Sequence, residues 1–566
     1  MKAVYLKKSL ALFAVLIIVL IVVNCSSEDG SDGGTTSSNI VITGSIGAFG
    51  EVNVLAHSAS QSIEVSGDNL SANVAISSTA NFEISLDDSS FSNQLTISKD
   101  VANAGNQTLF VRFSPSASAL GPVSGELSLQ SNSATTRTIS LTGVGLSTAP
   151  IININVSSFN FQDTPIAQQS AASALFVDGN NLSAAINLSV SEGFEISLDG
   201  TSFSDVQQIA SGTVNNQTTV FVRFAPTELG DAMGVLSLES EGAETAEVAL
   251  SGTGIPIVHN YLTFDKERLA FGGGFNQSAT QTFSLHDDVS NIETIKMYVK
   301  LTCPTGGCDE WDVYANVKIK DDASGELYEL GRYITPYWND NSQLDRGFEF
   351  DVTDFKSLLS GSAELRIRTE CWNARGYEVT VDFDFIEGTP DYPYYAISRV
   401  IAYDDWSSSG VPYGTVHSMD LDKTISIPAN AESTHLRTVI SGWGQASPAI
   451  GGRTCAEWCF RTHDVRINGV NTFQHDMGPL DCASNPVNNQ EPGNWQPDRA
   501  GWCPGMVVPY RIDDFATNMA GNTFGFEYTY EGGWTNDGQN GNAFYATSTF
   551  VVVKSNTPIT KPVVTD

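Results

Sequence analysis

The chain has 566 residues, and at one domain per roughly 150 residues it should hold about three to five domains rather than one. Its 64 acidic against 29 basic residues leave a formal net charge of −35, which repels polyanions and excludes nucleic acid as a partner. Only 16% of the residues are charged and 41% are hydrophobic, so the acidic excess belongs to the surface of folded domains and not to a disordered tail.

The N-terminus reads as an export signal. Lys2, Lys7 and Lys8 precede an apolar run from Leu10 to Val23, shorter than the roughly 20 residues a membrane-spanning helix needs, so residues 1–24 are expected to be a signal peptide. The run stops at Cys25, and Val22-Val23-Asn24-Cys25 resembles a bacterial lipobox, with Asn24 where a small residue is usual. Lipidation at Cys25 is the expectation, against an uncleaved anchor or a plain signal peptide. Ser26-Ser27-Glu28-Asp29 resembles the acidic sorting signals of surface-exposed lipoproteins, and residues 25–38 read as a flexible tether. The chain is therefore expected to be exported and held on the bacterial outer membrane, surface-exposed, through its lipid.

Residues 39–256 repeat. Val65-Ser-Gly-Asp-Asn-Leu-Ser-Ala72 returns as Val177-Asp-Gly-Asn-Asn-Leu-Ser-Ala184, and Phe82-Glu-Ile-Ser-Leu-Asp87 returns as Phe194-Glu-Ile-Ser-Leu-Asp199. A repeat of this spacing is domain-sized, and alternating apolar and polar residues broken by Gly, Asn and Ser turns predict antiparallel β-sandwiches. Two immunoglobulin-like units are expected, at 39–148 and 149–256. Neither contains a cysteine and His57 is the one histidine across both, so they are read as spacers or binding modules without a catalytic or metal site.

The second half differs in composition. All nine tryptophans lie between Trp311 and Trp534, and seven of the eight cysteines lie in the same half of the chain. Strand-like runs such as Met297–Leu301, Val313–Ile319 and Val379–Phe385 alternate in a way that suits one buried face. The turn-rich stretch Gly388-Thr-Pro-Asp-Tyr-Pro393 suggests a boundary between two all-β subdomains, 257–390 and 391–566. The spacing of the cysteines suggests disulfides Cys303–Cys308, Cys455–Cys459 and Cys482–Cys503, leaving Cys371 free. A zinc site built from two close cysteine pairs is the rival, disfavoured by an oxidising compartment and crowding carboxylates.

One stretch concentrates chemistry: Cys303-Pro-Thr-Gly-Gly-Cys-Asp-Glu-Trp-Asp312. On a strand Glu310 and Asp312 would share a face with Trp311 opposite, unless a disulfide loop at the strand entrance changes this. A carboxylate beside an indole is partly desolvated, which raises its pKa toward neutrality and suits proton transfer. A calcium-type or merely solvated acidic turn is the alternative. Gly272-Gly273-Gly274 reads as a turn, since no strand-then-helix pattern surrounds it to make a phosphate loop.

Taken together, Cys303–Asp312, Gly331-Arg-Tyr-Ile-Thr-Pro-Tyr-Trp338, Ile440-Ser-Gly-Trp-Gly444, Cys455-Ala-Glu-Trp-Cys-Phe-Arg-Thr-His463 and Pro497-Asp-Arg-Ala-Gly-Trp-Cys-Pro-Gly-Met506 resemble the peptide-N-glycosidase F family, over half the chain. The resemblance implies two adjacent eight-stranded antiparallel jelly rolls with the site in the cleft between them. It implies hydrolysis of the β-amide joining asparagine to the innermost GlcNAc of N-glycans, and N-linked glycoproteins and glycopeptides, through their chitobiose core, as partners. No cofactor or metal is implied, and a monomer is expected. By motif, Asp312 matches the essential acid/base carboxylate, Glu457 a second carboxylate and Glu370 an assisting third. Arg499 matches the arginine that pairs with Glu457, and Trp311, Trp372, Trp443 and Trp458 match aromatics lining the site.

Two positions depart from the family pattern: Val313 where an arginine is expected and Gln445 where a histidine is expected. Loss of a cation beside the acid predicts altered tolerance of core substituents such as fucose. Other classes remain in view. A copper monooxygenase would need clustered histidines, and none of His259, His286, His417, His435, His463 and His475 is adjacent to another. A two-carboxylate glycoside hydrolase and a non-catalytic surface glycan-binding lipoprotein are separated from the amidase by product analysis.

Overall fold

The computed structural model describes residues 37–132, 134–406, 409–413, 421–450, 453–490, 493–530 and 543–566. The expected signal peptide and the lipidation at Cys25 lie outside the described residues. What is described is almost entirely β-structure.

The repeat seen in the sequence is a repeat of topology. The first unit pairs a sheet ordered Asn39–Thr43, Gln61–Asp68, Gln107–Phe113, Phe82–Ser85 with one ordered Glu51–Asn53, Ala134–Leu146, Gly121–Ser131, Val74–Ser78, Gln94–Ile97. The second unit repeats that order with Ile151–Ile154, Ser173–Asn180, Thr218–Phe224, Phe194–Ser197 facing Ser158–Asn160, Ala246–Ile255, Gly230–Glu239, Ile186–Val190, Val206–Ile209. The copying extends to side chains. Phe113 lies over Gly143, and Phe224 over Gly252, where an added Cβ would come within 2.6 and 2.7 Å of the ring, so the glycine is what lets the ring seat against the strand. Pairing is antiparallel except for short edge segments: Glu51–Asn53 in the first unit, and Ser158–Asn160 and Thr164–Pro165 in the second, run parallel to their neighbours.

In the second half, one sheet orders Val258–Leu262, Tyr377–Glu387, Ile292–Thr302, Phe348–Asp351 and faces another ordered Ser278–Ser284, Ser362–Thr369, Tyr314–Lys320, Leu327–Ile334. A second pair of sheets follows. Tyr394–Ile401, Phe544–Ser555, Ser433–Trp443, Tyr510–Asp514 face Val470–Asp476, Thr462–Ile467, Thr523–Thr529, Asp422–Ser426, Val563–Thr565. Each pair encloses its own apolar core, the first built around Met297, Val317, Ile367 and Phe383 and the second around Leu436, Val465, Phe526 and Val551.

Alternation in Tyr314–Lys320 predicts one buried face, and both faces are buried. Ala315, Val317 and Ile319 enter the first core. The opposite face, Tyr314, Asn316 and Lys318, is covered by the second roll: the Tyr314 hydroxyl and the Asn316 amide donate to Asp405 at 3.1 and 2.8 Å, and Lys318 Nζ donates to the Tyr403 carbonyl at 2.6 Å. On the next strand Arg332 donates to Ser441 Oγ at 3.0 Å and to the Ala546 carbonyl at 2.6 Å, while Ser548 donates to Glu329 at 2.7 Å. Polar groups alternate on these strands because the seam between the rolls is polar, and each buried charge there meets a partner that offsets its desolvation.

Candidate active site

The first disulfide-bounded loop does not follow the strand pattern assumed for it. Cys303–Cys308 closes as expected, but regular pairing resumes only at Tyr314, so residues 309–312 do not alternate. Glu310 and Asp312 therefore part company. Glu310 turns outward to pair with Arg375, and Asp312 turns inward to the seam, its side chain 11% exposed.

Asp309 explains how the loop holds its shape. It is fully buried, and its carboxylate accepts the backbone N–H groups of Trp311 at 3.2 Å, Trp372 at 2.9 Å and Asn373 at 3.3 Å. One buried carboxylate thus orients two exposed indoles on separate loops, satisfying amides that the absence of a ladder leaves unpaired.

The second acidic loop is clamped by Cys455–Cys459 and enters from the hairpin Gln445–Ile450 and Arg453–Ala456. Ala456 takes a left-handed φ of 34°, a conformation that a residue with a Cβ adopts only when its surroundings enforce it. Here the surroundings are close: a Cβ on Gly442 would lie 2.3 Å from the Ala456 carbonyl oxygen. The amide of Glu457 donates to the Gly444 carbonyl at 3.0 Å, and its own carbonyl accepts from Ala500 at 2.7 Å. Glu457 is thereby tied on one side to the Trp443 strand and on the other to the loop that carries Arg499.

Arg499 joins the two acidic loops. It is fully buried, with Nη2 3.2 Å from Asp312 Oδ2 and Nε 3.7 Å from Glu457 Oε1. The motif implied a pairing with Glu457; the guanidinium is shared, and the hydrogen bond goes to Asp312. The Pro497 carbonyl accepts from Nη1 at 2.6 Å, the Trp458 ring lies 4.3 Å beneath, and the Tyr337 hydroxyl stands 3.2 Å from Nη2. Burial pushes the Asp312 carboxyl up from 3.8 to about 6, against the opposing pull of Arg499 and a hydrogen bond from Tyr337. Burial and then the charge of Asp312 push Glu457 up from 4.5 to about 7, with Arg499 again opposing. Two carboxyls that titrate near neutrality around one fixed cation can hold and exchange a proton under physiological conditions.

The other expected residues differ in burial and in the contacts they make. Trp443 stacks on Trp502 with centroids 4.4 Å apart and donates to Ser441 Oγ. Trp311 and Trp372 are exposed, and Gln445 is exposed on the hairpin. Val313 is buried, its amide donating to Thr335 Oγ1 at 2.8 Å. Among the described residues no hydrogen bond or ion pair links Glu370 to Asp312 or Glu457. Its amide donates to the Tyr314 carbonyl at 2.9 Å, and burial raises its pKa, with Arg368 opposing and Asp405 adding to the rise. Sequence reasoning gave Tyr337 no role, although it sits in a stretch it singled out. A tyrosine carries no motif signal; its role comes from contact with Arg499, 162 residues away in the chain.

Cys482–Cys503 closes the third disulfide. Those two sulfurs and Asp498 lie within 4.8 Å of one another, yet oxidised sulfurs are not thiolate ligands, so this group does not fit a zinc ion.

Residues 412–555 match the family described as Peptide-N-glycosidase F, C terminal. The chain is 58% identical over 308 residues to peptide-N(4)-(N-acetyl-beta-D-glucosaminyl)asparagine amidase F of Elizabethkingia miricola, an alignment covering 54% of this chain and 87% of that protein. It also superposes on the solved structure of PNGase F, a glycosylasparaginase from Flavobacterium meningosepticum, with a TM-score of 0.53 at 57% identity, across 55% of this chain and 100% of that one. With seven-eighths of a relative matched at this identity, the chain belongs to the peptide-N-glycosidase F family.

Proposed function

We propose that the chain hydrolyses the β-amide bond between asparagine and the innermost GlcNAc of N-glycans, releasing the glycan as a glycosylamine and leaving aspartate. The observation that carries this reading is the pair of buried carboxyls, Asp312 and Glu457, raised toward neutrality around the shared guanidinium of Arg499. Amide hydrolysis needs a positioned water, a base to take its proton and an acid to return that proton to the departing nitrogen. Above pH 7 both carboxyls are ionised. Asp312 takes the proton as the water oxygen bonds to the amide carbon, then delivers it to the nitrogen as the C–N bond breaks. Glu457 and Arg499 hold the water and the first sugars in line, and Glu370, one residue past the strand Ser362–Thr369, assists. Trp311, Trp372, Trp443 and Trp458 offer aromatic faces to the C–H faces of the chitobiose core, with Gln445 and Val313 at its margin.

The test is product analysis of a treated N-glycopeptide by mass spectrometry. Asparagine converted to aspartate together with a released glycan that keeps both core GlcNAc residues is the expected result. Cleavage between the two sugars would make the enzyme a glycoside hydrolase, and binding without any product would make it a lectin. We place the enzyme on the outer surface of the outer membrane as a monomer tethered through Cys25, a reading supported by the lipobox-like Val22–Cys25 and the acidic residues after it. Palmitate labelling of the wild type and of Cys25→Ser checks it.

A further inference from the structure

The triple glycine Gly272-Gly273-Gly274 and the indole of Trp338 take no part in the chemistry above, yet the fold brings them onto one surface. All three glycines have left-handed φ, of 79°, 63° and 88°, a path that residues with a side chain rarely follow. The turn leaves Phe271 and Phe275 exposed at its two ends. It is fastened to the loop after Ser362–Thr369: the Phe271 amide donates to the Asn373 carbonyl at 2.9 Å, and Arg268 Nη2 donates to the Ala374 carbonyl at 3.0 Å. The Arg268 guanidinium lies 4.9 Å from the centroid of the Phe275 ring. One residue beyond Ala374, the Arg375 guanidinium lies 4.6 Å from the ring centroid of Trp338, itself exposed, and pairs with Glu310. Two exposed aromatic rings are thus each backed by an arginine.

This surface begins one residue from the reactive centre. Tyr337 reaches inward to Arg499 at 3.2 Å, whereas Trp338 stands outside with a left-handed φ of 58°, a conformation that costs free energy in a bulky residue and persists only where its surroundings impose it. Two bonds impose it here. The Trp338 amide donates to the Asp309 carbonyl at 3.1 Å, and the side chain of Asn339 donates to the Asn489 carbonyl of the second roll at 2.6 Å. The acids of this surface are already committed, Asp309 to backbone amides and Glu310 to Arg375. What it presents is aromatic faces and guanidinium edges, which suit apolar side chains and peptide carbonyls better than the hydroxyls of a sugar.

We infer that Phe271, Phe275 and Trp338, with Arg268 and Arg375 against them, seat the polypeptide that flanks the glycosylated asparagine and hold its apolar side chains. The assignment rests on the activity proposed above and concerns the peptide half of that substrate. Tyr337-Trp338 and Asp309 make the surface continuous with the Asp312–Arg499 centre, so a polypeptide whose asparagine sits at the centre adjoins it. Side chains alternate along an extended peptide, which turns every second flanking residue toward the rings and leaves carbonyls for the guanidinium edges. Aromatic rings and arginine are also the side chains that most often anchor a bound polypeptide.

The experiment uses the full chain, the paired variant Phe271→Ser with Phe275→Ser, and Trp338→Ala, on one N-glycan carried by three peptides: a tripeptide centred on the asparagine, a longer peptide with leucine and phenylalanine on both flanks, and the same longer peptide with serine in their place. The ratio of kcat/KM for the apolar over the serine peptide should fall roughly fivefold, through KM, while the tripeptide is cleaved as by the unaltered chain. A fall in either variant supports the assignment. An unchanged ratio in both, or an equal loss on all three peptides, overturns it. Self-association of the unaltered chain that the variants lose, with the ratio unchanged, gives the surface to a second copy and overturns it as well. Fluorescence anisotropy of the apolar peptide without its glycan reads the surface apart from turnover. If the unaltered chain releases no glycan, the amidase reading alone fails and this binding decides: weaker binding in the variants supports the assignment, and equal binding, or none by any of the three chains, overturns it.

Discussion

The N-terminal repeats and the C-terminal pair of rolls are both β-structures, yet they treat carboxylates in opposite ways. In the repeats, Asp87 and Asp199 sit on fully exposed turns and are held below the ordinary carboxylate range, first by the backbone amides of Ser90 and Ser202. In the rolls, Asp312 and Glu457 are raised to about 6 and about 7 by burial. Amide donors in water favour the charged form; a dry seam with one shared cation does not. The difference teaches where chemistry can reside. The repeats spend their acids on fixing turns, and the seam keeps two acids close to the point of changing state.

The largest break in that contrast should come from Asp312→Asn, which keeps the shape and removes the proton acceptor. Glycan release from a denatured glycoprotein is expected to fall about 10³-fold, the usual worth of general acid–base catalysis. Near-normal turnover would remove Asp312 from the role.

Next is Arg499→Gln. Both carboxyls must be ionised for the proposed step, so kcat/KM should be lost as the pH drops through about 7 and then about 6. Arg499 lowers both values, and its removal should cut activity about 10²-fold and move this acid limb up by about one unit. The same shift bears on stability. The folded state holds the Asp312 proton that the unfolded chain releases, so between 3.8 and about 6 stability falls as pH rises. A variant whose limb stays in place would show that Arg499 does not govern these acids.

Gly442→Ala is expected to act without touching either acid. The new Cβ would meet the Ala456 carbonyl at 2.3 Å and the Ala500 side chain at 3.1 Å, pushing the Glu457 loop and the Arg499 loop out of register. Displacement of a catalytic group by less than an ångström typically costs about 10-fold or more, so kcat should fall by about that factor while the melting midpoint moves by only a few degrees. A smaller effect follows from Val313→Arg, where the preference between core-fucosylated and unfucosylated glycopeptides should change about threefold; an unchanged preference would sink the link between this position and core substituents.

How much of this was legible beforehand depended on how local each signal was. The repeat, the all-β class, the three disulfides and the two acidic loops are written in short stretches and in spacing. Period-two alternation also located the strands, but it could not say that Tyr314, Asn316 and Lys318 would be covered, because a polar face reads the same against solvent as against the polar face of another roll. Alternation does not hold at 309–312, where the disulfide loop at the strand entrance, the exception the sequence already pointed to, and the buried Asp309 replace the ladder. Tyr337 was illegible for a related reason: what makes it matter is the buried Arg499 beside it, 162 residues away in the chain.

The smallest expected effect on activity, and the sharpest test of the contrast, is Phe224→Ala. Phe224 is fully buried, lies over Gly252 and packs against Phe194 with centroids 5.0 Å apart. Truncating such a ring leaves a cavity and should destabilise the second repeat by about 3–5 kcal/mol, visible as an early unfolding transition or as selective proteolysis between residues 149 and 256. Every hydrogen bond and ion pair described at the Asp312–Arg499–Glu457 centre comes from residues beyond 300. Release of glycans from a small glycopeptide by the soluble variant should therefore stay at the wild-type rate. A parallel loss of stability and turnover would mean that the repeats support the seam after all, and that the two halves do not divide structure from chemistry.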